Sequence, residues 1–187
     1  MARQSRERMI EGAVKLLAMR GLHASFTEII EATGAPRGSI YHHFPGGKDQ
    51  LIAEAIDLAG TQAIGIINAL EGQPAEIVAG QFIGIWRALL TNTNYQAGCS
   101  VLAVTVASDS QDLLHRSAAV FRQWCDRLSE LLVLGGLNKE DARGLAALLV
   151  ASCEGAVAIS RGQKSMEVFE LVAEQLIMQV KSASAHS

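Results

Sequence analysis

Ser25-Phe26-Thr27-Glu28-Ile29-Ile30-Glu31-Ala32-Thr33-Gly34-Ala35-Pro36-Arg37-Gly38-Ser39-Ile40-Tyr41-His42-His43-Phe44-Pro45-Gly46-Gly47-Lys48 is the stretch that decides the fold. Ser25 and Glu28 stand three positions apart, the spacing of a capping box. The serine hydroxyl can accept the Glu28 backbone N–H while the glutamate reaches back to the serine N–H. A helix follows to about Thr33, and Gly34 ends it. Pro36 lies at or next to a first helical turn, where its missing N–H costs nothing. A second short helix runs from Arg37 to about Phe44, and Pro45-Gly46-Gly47 breaks it. Two short helices joined by about three residues around a glycine form the helix-turn-helix pattern. The same pattern serves an ordinary αα-corner in a bundle, so spacing alone leaves both readings open.

Working outward, Met9, Ala13, Leu16 and Leu17 recur at helical spacing between Arg6 and Arg20, with Gly21 as a C-cap. Toward the C-terminus, helices are predicted from Lys48 to about Leu70, from Ala75 to about Leu90 and from Asp109 to Leu134. Another begins after Asn138, and a last one follows Ser165. Gly98 to Ala107 is a continuous apolar run that reads as a buried helix, although its valines would also suit a strand. Thr91-Asn92-Thr93-Asn94 is turn-prone, and the tail from Ser182 to Ser187 is expected to fray. The expected fold class is all-α: an N-terminal three-helix helix-turn-helix head, residues 1–47, ahead of a C-terminal helical body, residues 48–187.

Composition agrees. The chain has 187 residues, 49% hydrophobic and 19% charged, which suffices for a real core and excludes wholesale disorder. Its three prolines are Pro36, Pro45 and Pro74, so the remaining 113 positions permit long helices. Arg, Asp or Glu interrupts the apolar stretches before the ~18 residues a membrane span needs, so no membrane partner is expected. The first eight residues lack the apolar core of a signal peptide. Three cysteines, odd in number and widely spaced, fit neither a disulfide framework nor a zinc motif, and a reducing cytoplasm is the expected location. Residues 1–50 carry 7 Lys+Arg against 5 Asp+Glu, and the remainder 9 against 14. A slightly basic head on an acidic body points to a nucleic-acid contact confined to the head.

From Gly21-Leu22 through Gly38-Ser39-Ile40-Tyr41-His42-His43-Phe44 to Lys48-Asp49-Gln50-Leu51, the chain closely resembles the DNA-binding signature of TetR-type transcriptional repressors. Pro36 departs from the small hydroxyl residue usual there, and one extra residue separates Phe44 from Lys48. The Pro-Gly-Gly-Lys segment and the run Gly98-Cys99 to Ala107 are similar to an LmrA/YxaF-like subgroup. The resemblance implies a dimeric repressor that binds a palindromic double-stranded DNA operator, with operator contacts at the positions of Arg37, Ser39, Tyr41, His42 and Lys48. It also implies a dimer seam on the two outermost helices.

The residues themselves suit those roles. A recognition helix enters the major groove with its N-terminal end. Gly38 permits close approach, Arg37 can pair with guanine N7 and O6, and Ser39 can meet a base edge. Tyr41 and His42 can reach phosphates or a thymine methyl. Thr27, in the first turn of its helix, can bind phosphate through its hydroxyl and nearby N–H groups. Ile40 and Phe44 are expected in the core, His43 packs or faces DNA, and Arg3, Arg6 and Arg8 form a solvated face, with a minor-groove arm as the alternative.

In the body, Leu145, Leu148, Leu149, Ser152, Ala156 and Ile159 form one helical stripe and Leu171, Leu176 and Val180 another. They are candidates for the dimer seam, with core packing as the alternative. The aromatic and sulfur-bearing residues Phe82, Trp86, Cys99, Phe121 and Trp124, with His115, are candidates for an effector site taking a small apolar or aromatic molecule. Trp86, His115, Gln123 and Glu154 could supply its polar contacts. No cofactor or metal is expected, because the five histidines do not pair at i, i+4. No phosphate loop, paired carboxylates or catalytic triad supports an all-α enzyme. A redox-sensing repressor using Cys99 or Cys125 is the alternative, kept open by Arg116, Arg122 and Arg127 near Cys125; inert core cysteines are the simpler reading.

Overall fold

The computed structural model describes residues 2–33 and 41–185, with only the backbone at Ala2, Arg3, Phe26, Ile30 and Ala32. Among the described residues the regular structure is helical throughout: α1 (Ala2–Arg20), a 3₁₀ turn (Gly21–His23), α2 (Phe26–Thr33), α3 (Gly47–Asn68), α4 (Ala75–Asn92), α5 (Ser100–Ala107), α6 (Gln111–Leu134), α7 (Lys139–Gln163) and α8 (Glu167–Ser184). Residues 41–43 are also helical. The chain divides into two compact units, one of residues 1–62 and 99–120, the other of residues 63–98 and 121–187. Helices α3 and α6 contribute residues to both.

In the first unit α1 packs on α2, on the 3₁₀ turn and on α5. Met9, Ala13 and Leu17 recur on one face of α1 and are buried with Ile29 of α2, Phe44, and Leu51, Ile52 and Ile56 of α3. Gly21 ends α1 at φ +61°, a left-handed conformation that glycine adopts without a Cβ penalty. The run after Gly98 resolves as helix α5, not a strand. The Cys99 Sγ caps it by accepting the Leu102 N–H at 3.4 Å, and Val101 and Val104 are buried.

In the second unit α4, α7 and α8 pack pairwise. Phe82, Ile83 and Leu90 of α4, Leu149, Cys153 and Val157 of α7, and Phe169, Ala173 and Leu176 of α8 are buried there. Asn138 caps α7: its Oδ1 accepts the Asp141 N–H at 3.0 Å. After α6, the Gly135 carbonyl accepts the Ala75 N–H at 3.1 Å. A Cβ on Gly135 would stand 2.5 Å from that nitrogen, so the close approach requires glycine.

Three expectations need correction. α1 begins four residues before Arg6. α8 continues through Ser182–Ser184, where fraying was expected. And α3 and α7 do contain 18-residue windows long and apolar enough to cross a membrane, at mean hydropathy 1.2 and 1.6. Alanine, glycine and isoleucine dilute the few charges there, although half of the α7 window is buried inside the protein, as in a core helix.

Candidate nucleic-acid interface and body site

The head is organised around the cap of α2. The Ser25 N–H donates to Glu28 Oε2 at 2.7 Å, and the Glu28 N–H donates to Ser25 Oγ at 3.1 Å. This is the reciprocal capping box expected from the spacing. The Ser25 backbone N–H holds the Glu28 carboxyl below the usual carboxylate range, helped by the serine hydroxyl and by Arg20, which donates to Glu28 Oε1. Thr27, second in α2, is exposed in the first turn of that helix. Tyr41 and His42 are exposed at the end of the segment that precedes Pro45. Arg37, Gly38, Ser39 and Ile40 lie outside the described residues.

Lys48 is half-buried, and its Nζ donates to the Leu22 carbonyl at 3.0 Å. It therefore ties the first turn of α3 to the 3₁₀ turn, a structural bond that its motif position did not announce. Phe44 is fully buried, as expected. His43 is half-buried, its ring edge-on to Phe44 at 6.5 Å and to His42 at 5.6 Å. Arg6 was expected on a solvated face. Instead its guanidinium lies over the Phe44 ring, 5.1 Å from the centroid, and donates to Glu54 Oε1 at 2.5 Å. The 48-residue separation of Arg6 and Glu54 left no local signal for that pair.

In the second unit the aromatic candidates form a row. Phe82 meets Trp86 with centroids 6.3 Å apart, Trp86 meets Trp124 at 6.3 Å, and Trp124 meets Phe121 at 5.4 Å, all edge-to-face. Phe82, Trp86 and Trp124 are buried and Phe121 half-buried. Cys99 and His115 belong to the first unit, where Cys99 serves as a cap and His115 is exposed. Glu154, another candidate polar contact, is buried on α7. An open groove of about 510 Å³ between α4 and α8 is lined by Gly80, Ile83, Arg87, Glu170, Ala173, Glu174, Ile177 and Met178, and by none of the predicted effector residues. At its edge Arg87 Nε and Nη2 donate to Glu170 Oε1 and Oε2 at 2.7 and 2.6 Å.

The candidate dimer stripes divide by burial. Leu145, Leu149, Ala156 and Leu176 are buried within their own unit, and Ser152 is half-buried. Leu148, Ile159 and Leu171, joined by Met178, are between 37% and 58% exposed. Ala147, Ala151, Gly155 and Ala158 are exposed on α7 as well. Heptad-like spacing could not separate the two faces, because α7 carries apolar residues nearly all round.

Cys125 and Cys153 are poor nucleophiles. Burial pushes the Cys153 thiol up to about 12, with the Glu154 charge adding to it. Burial also raises the Cys125 thiol, assisted by Asp126, not lowered by the nearby arginines.

Residues 9–55 match the profile described as bacterial regulatory proteins, tetR family, and residues 74–175 that of the C-terminal domain of LmrA/YxaF-like transcriptional regulators. An uncharacterised HTH-type transcriptional regulator of Mycobacterium tuberculosis is 38% identical over 179 residues, covering 91% of each chain. The HTH-type regulator YxaF of Bacillus subtilis is 30% identical over 182 residues, 95% of each. A regulatory protein TetR from Rhodobacter sphaeroides shares the fold at TM-score 0.83 and 19% identity, over 94% of this chain and 98% of that one. These matches define a helix-turn-helix transcriptional regulator, and the matched proteins are regulators, not enzymes. The chain belongs to the TetR family, with an LmrA/YxaF-like C-terminal domain.

Proposed function

We propose that the chain is a dimeric repressor that binds a palindromic double-stranded DNA operator and releases it on binding a small apolar or aromatic molecule. The head, residues 1–47, presents Thr27, Arg37, Gly38, Ser39, Tyr41 and His42 to the DNA, with Lys48 at the start of the body, residues 48–187. Its target places the protein in the cytoplasm.

The observation that carries the reading is the exposed apolar face of α7 and α8. Leu148, Ile159, Leu171 and Met178 leave large side chains in water, while the small residues of α7 allow a second helix to approach closely. A seam of this kind sets two heads at the separation that a two-fold operator demands, about 34–36 Å or a multiple. The aromatic row supports an effector seat in the body. The redox alternative is disfavoured by the raised thiols of Cys125 and Cys153 and by the capping role of Cys99. Selection of bound duplexes from a random-sequence pool tests the reading: a two-fold symmetric consensus supports it, and failure to enrich any sequence refutes it.

A further inference from the structure

Tyr41 and His42 run directly into Phe44 and the turn that follows it, and that turn is tied down by a ring of contacts. The Gly47 N–H donates to the Phe44 carbonyl at 2.9 Å and closes the turn. The Gly46 N–H donates to Gln50 Oε1 at 2.9 Å. At the other end of the same amide, Gln50 Nε2 donates to Glu54 Oε1 at 3.1 Å. Glu54 Oε1 also accepts from Arg6 Nη2, and the Arg6 guanidinium covers the Phe44 ring. The contacts thus return to Phe44 by way of α3 and α1. Gln50 and Glu54 stand four residues apart, one helical turn, so α3 is the spine of the ring. Its polar members Arg6, Gln50 and Glu54 are half-buried, and an ion pair so accessible to water adds little to stability. What the ring supplies is orientation: both ends of the Gln50 amide are engaged, and Arg6 is held by its charge and its flat face together.

We propose that Glu54, acting through Gln50 and Arg6, is a positioning residue of the DNA interface: it holds the Phe44–Gly47 turn against α1 and α3 and so sets where Tyr41 and His42 meet the duplex. The inference rests on the operator reading given above and deepens it. Contacts to base edges weaken steeply off their geometry, so side chains that make them need neighbours that lock their backbone in place. Glu54 itself does not touch DNA. Phosphates repel a carboxylate, so by charge alone Glu54 works against affinity. Charge and positioning therefore predict opposite results when it is removed.

The test uses the full chain and two fluorescent duplexes of equal length, one selected from a random-sequence pool and one unrelated to it, titrated at the same salt concentration. Glu54→Ala opens the ring and removes a negative charge. Affinity for the selected duplex is expected to fall about tenfold, the worth of one charge-assisted hydrogen bond. Affinity for the unrelated duplex should hold or rise, because non-specific binding rests on phosphate charge and not on register. Glu54→Gln keeps an acceptor oxygen for Arg6 and Gln50 and should recover most of the lost affinity. Gln50→Ala cuts the tie to Gly46 without changing the charge, and it too should weaken binding to the selected duplex alone. Circular-dichroism melts check that each variant is folded at the titration temperature, and Gln50→Ala carries the test if Glu54→Ala is not. Tighter binding of both duplexes by Glu54→Ala reduces the carboxylate to a charge and overturns the inference. A loss shared equally by both duplexes marks a structural role and overturns it as well, as does unchanged affinity for the selected duplex in Gln50→Ala. Each of these outcomes leaves the operator reading standing. A parent chain that prefers no selected duplex overturns that reading and this inference with it.

Discussion

Arg87 and Glu170 meet face to face, two parallel N–H···O bonds of 2.7 and 2.6 Å joining α4 to α8 across 83 positions of sequence. The same guanidinium lies over the Phe169 ring, 5.7 Å from its centroid. Arg87 thus uses its charge and its flat face at once, which a lysine could not reproduce.

That pair sets a pH dependence. The hydrogen bonds from Arg87 hold the Glu170 carboxyl below its usual range against the opposing effect of burial. A lowered folded-state value means that the unfolded chain binds the proton first, so stability rises with pH through this window. The contribution is complete above the ordinary glutamate value of about 4.3 and is lost as pH falls through the lowered one. Both side chains are about 40% exposed (42% and 41%), so solvent screening limits the pair to about 1 kcal/mol despite its geometry. Thermal melts should show Glu170→Gln less stable than the parent at pH 7, with the gap closing below about pH 4. A gap independent of pH would contradict this assignment.

The head should respond to its cap. Ser25→Ala removes the hydroxyl that accepts the Glu28 N–H in the first turn of α2, while the backbone N–H at position 25 can still donate to the Glu28 carboxylate. Urea denaturation should register a loss of about 1 kcal/mol. Ser25→Asn should recover most of it, since asparagine caps comparably.

Operator binding should separate two kinds of contact. Arg37→Ala should cost about 1–3 kcal/mol and relax preference at one base position. Lys48→Ala should weaken binding to all sequences alike. If its ammonium neutralises a phosphate while holding the Leu22 carbonyl, the salt slope falls by about 1. Weaker binding with an unchanged slope would assign Lys48 to the bond with Leu22 alone. Affinity titrations at several stated salt concentrations decide between these outcomes.

Neighbouring leucines on α7 should behave oppositely. Leu149 is fully buried and Leu148 is exposed on the face assigned to the dimer seam. Leu149→Ala should lower stability by about 2–5 kcal/mol through lost contacts and a cavity. Leu148→Glu should stay folded yet sediment as a monomer, because a charge in an apolar seam has no partner. A folded Leu148→Glu dimer would move the interface elsewhere.

The legible parts of the fold were those written in short-range chemistry. Ser25 with Glu28, Asn138 with Asp141, and the glycines after Arg20 and Leu134 each announced a helix end within four residues, and each end is where that chemistry requires. What escaped the sequence is what long separations bring together. Arg6 over Phe44 and Arg87 on Glu170 join side chains tens of residues apart. Burial on α7 was equally unreadable, because Leu148 and Leu149 are adjacent, chemically identical and assigned to different faces only by what α4 and α8 cover. The effector candidates follow from side-chain type alone, which carries no information about place. Phe82, Trp86, Trp124 and Phe121 do form one row, while Cys99 and His115 belong to the other unit.

The measurement that bears most directly on the central claim is the stoichiometry and affinity of the complex with a selected operator, for the parent chain and for Leu148→Glu. Sedimentation velocity of protein with fluorescent duplex reports both in one experiment. Two chains, or a multiple of two, should bind each symmetric site. Leu148→Glu, folded and with an intact head, should lose at least tenfold in affinity, since one head forfeits the phosphate and base contacts of the second half-site. One chain per operator, or a monomeric Leu148→Glu that binds as tightly as the parent, would contradict a repressor that reads DNA as a dimer.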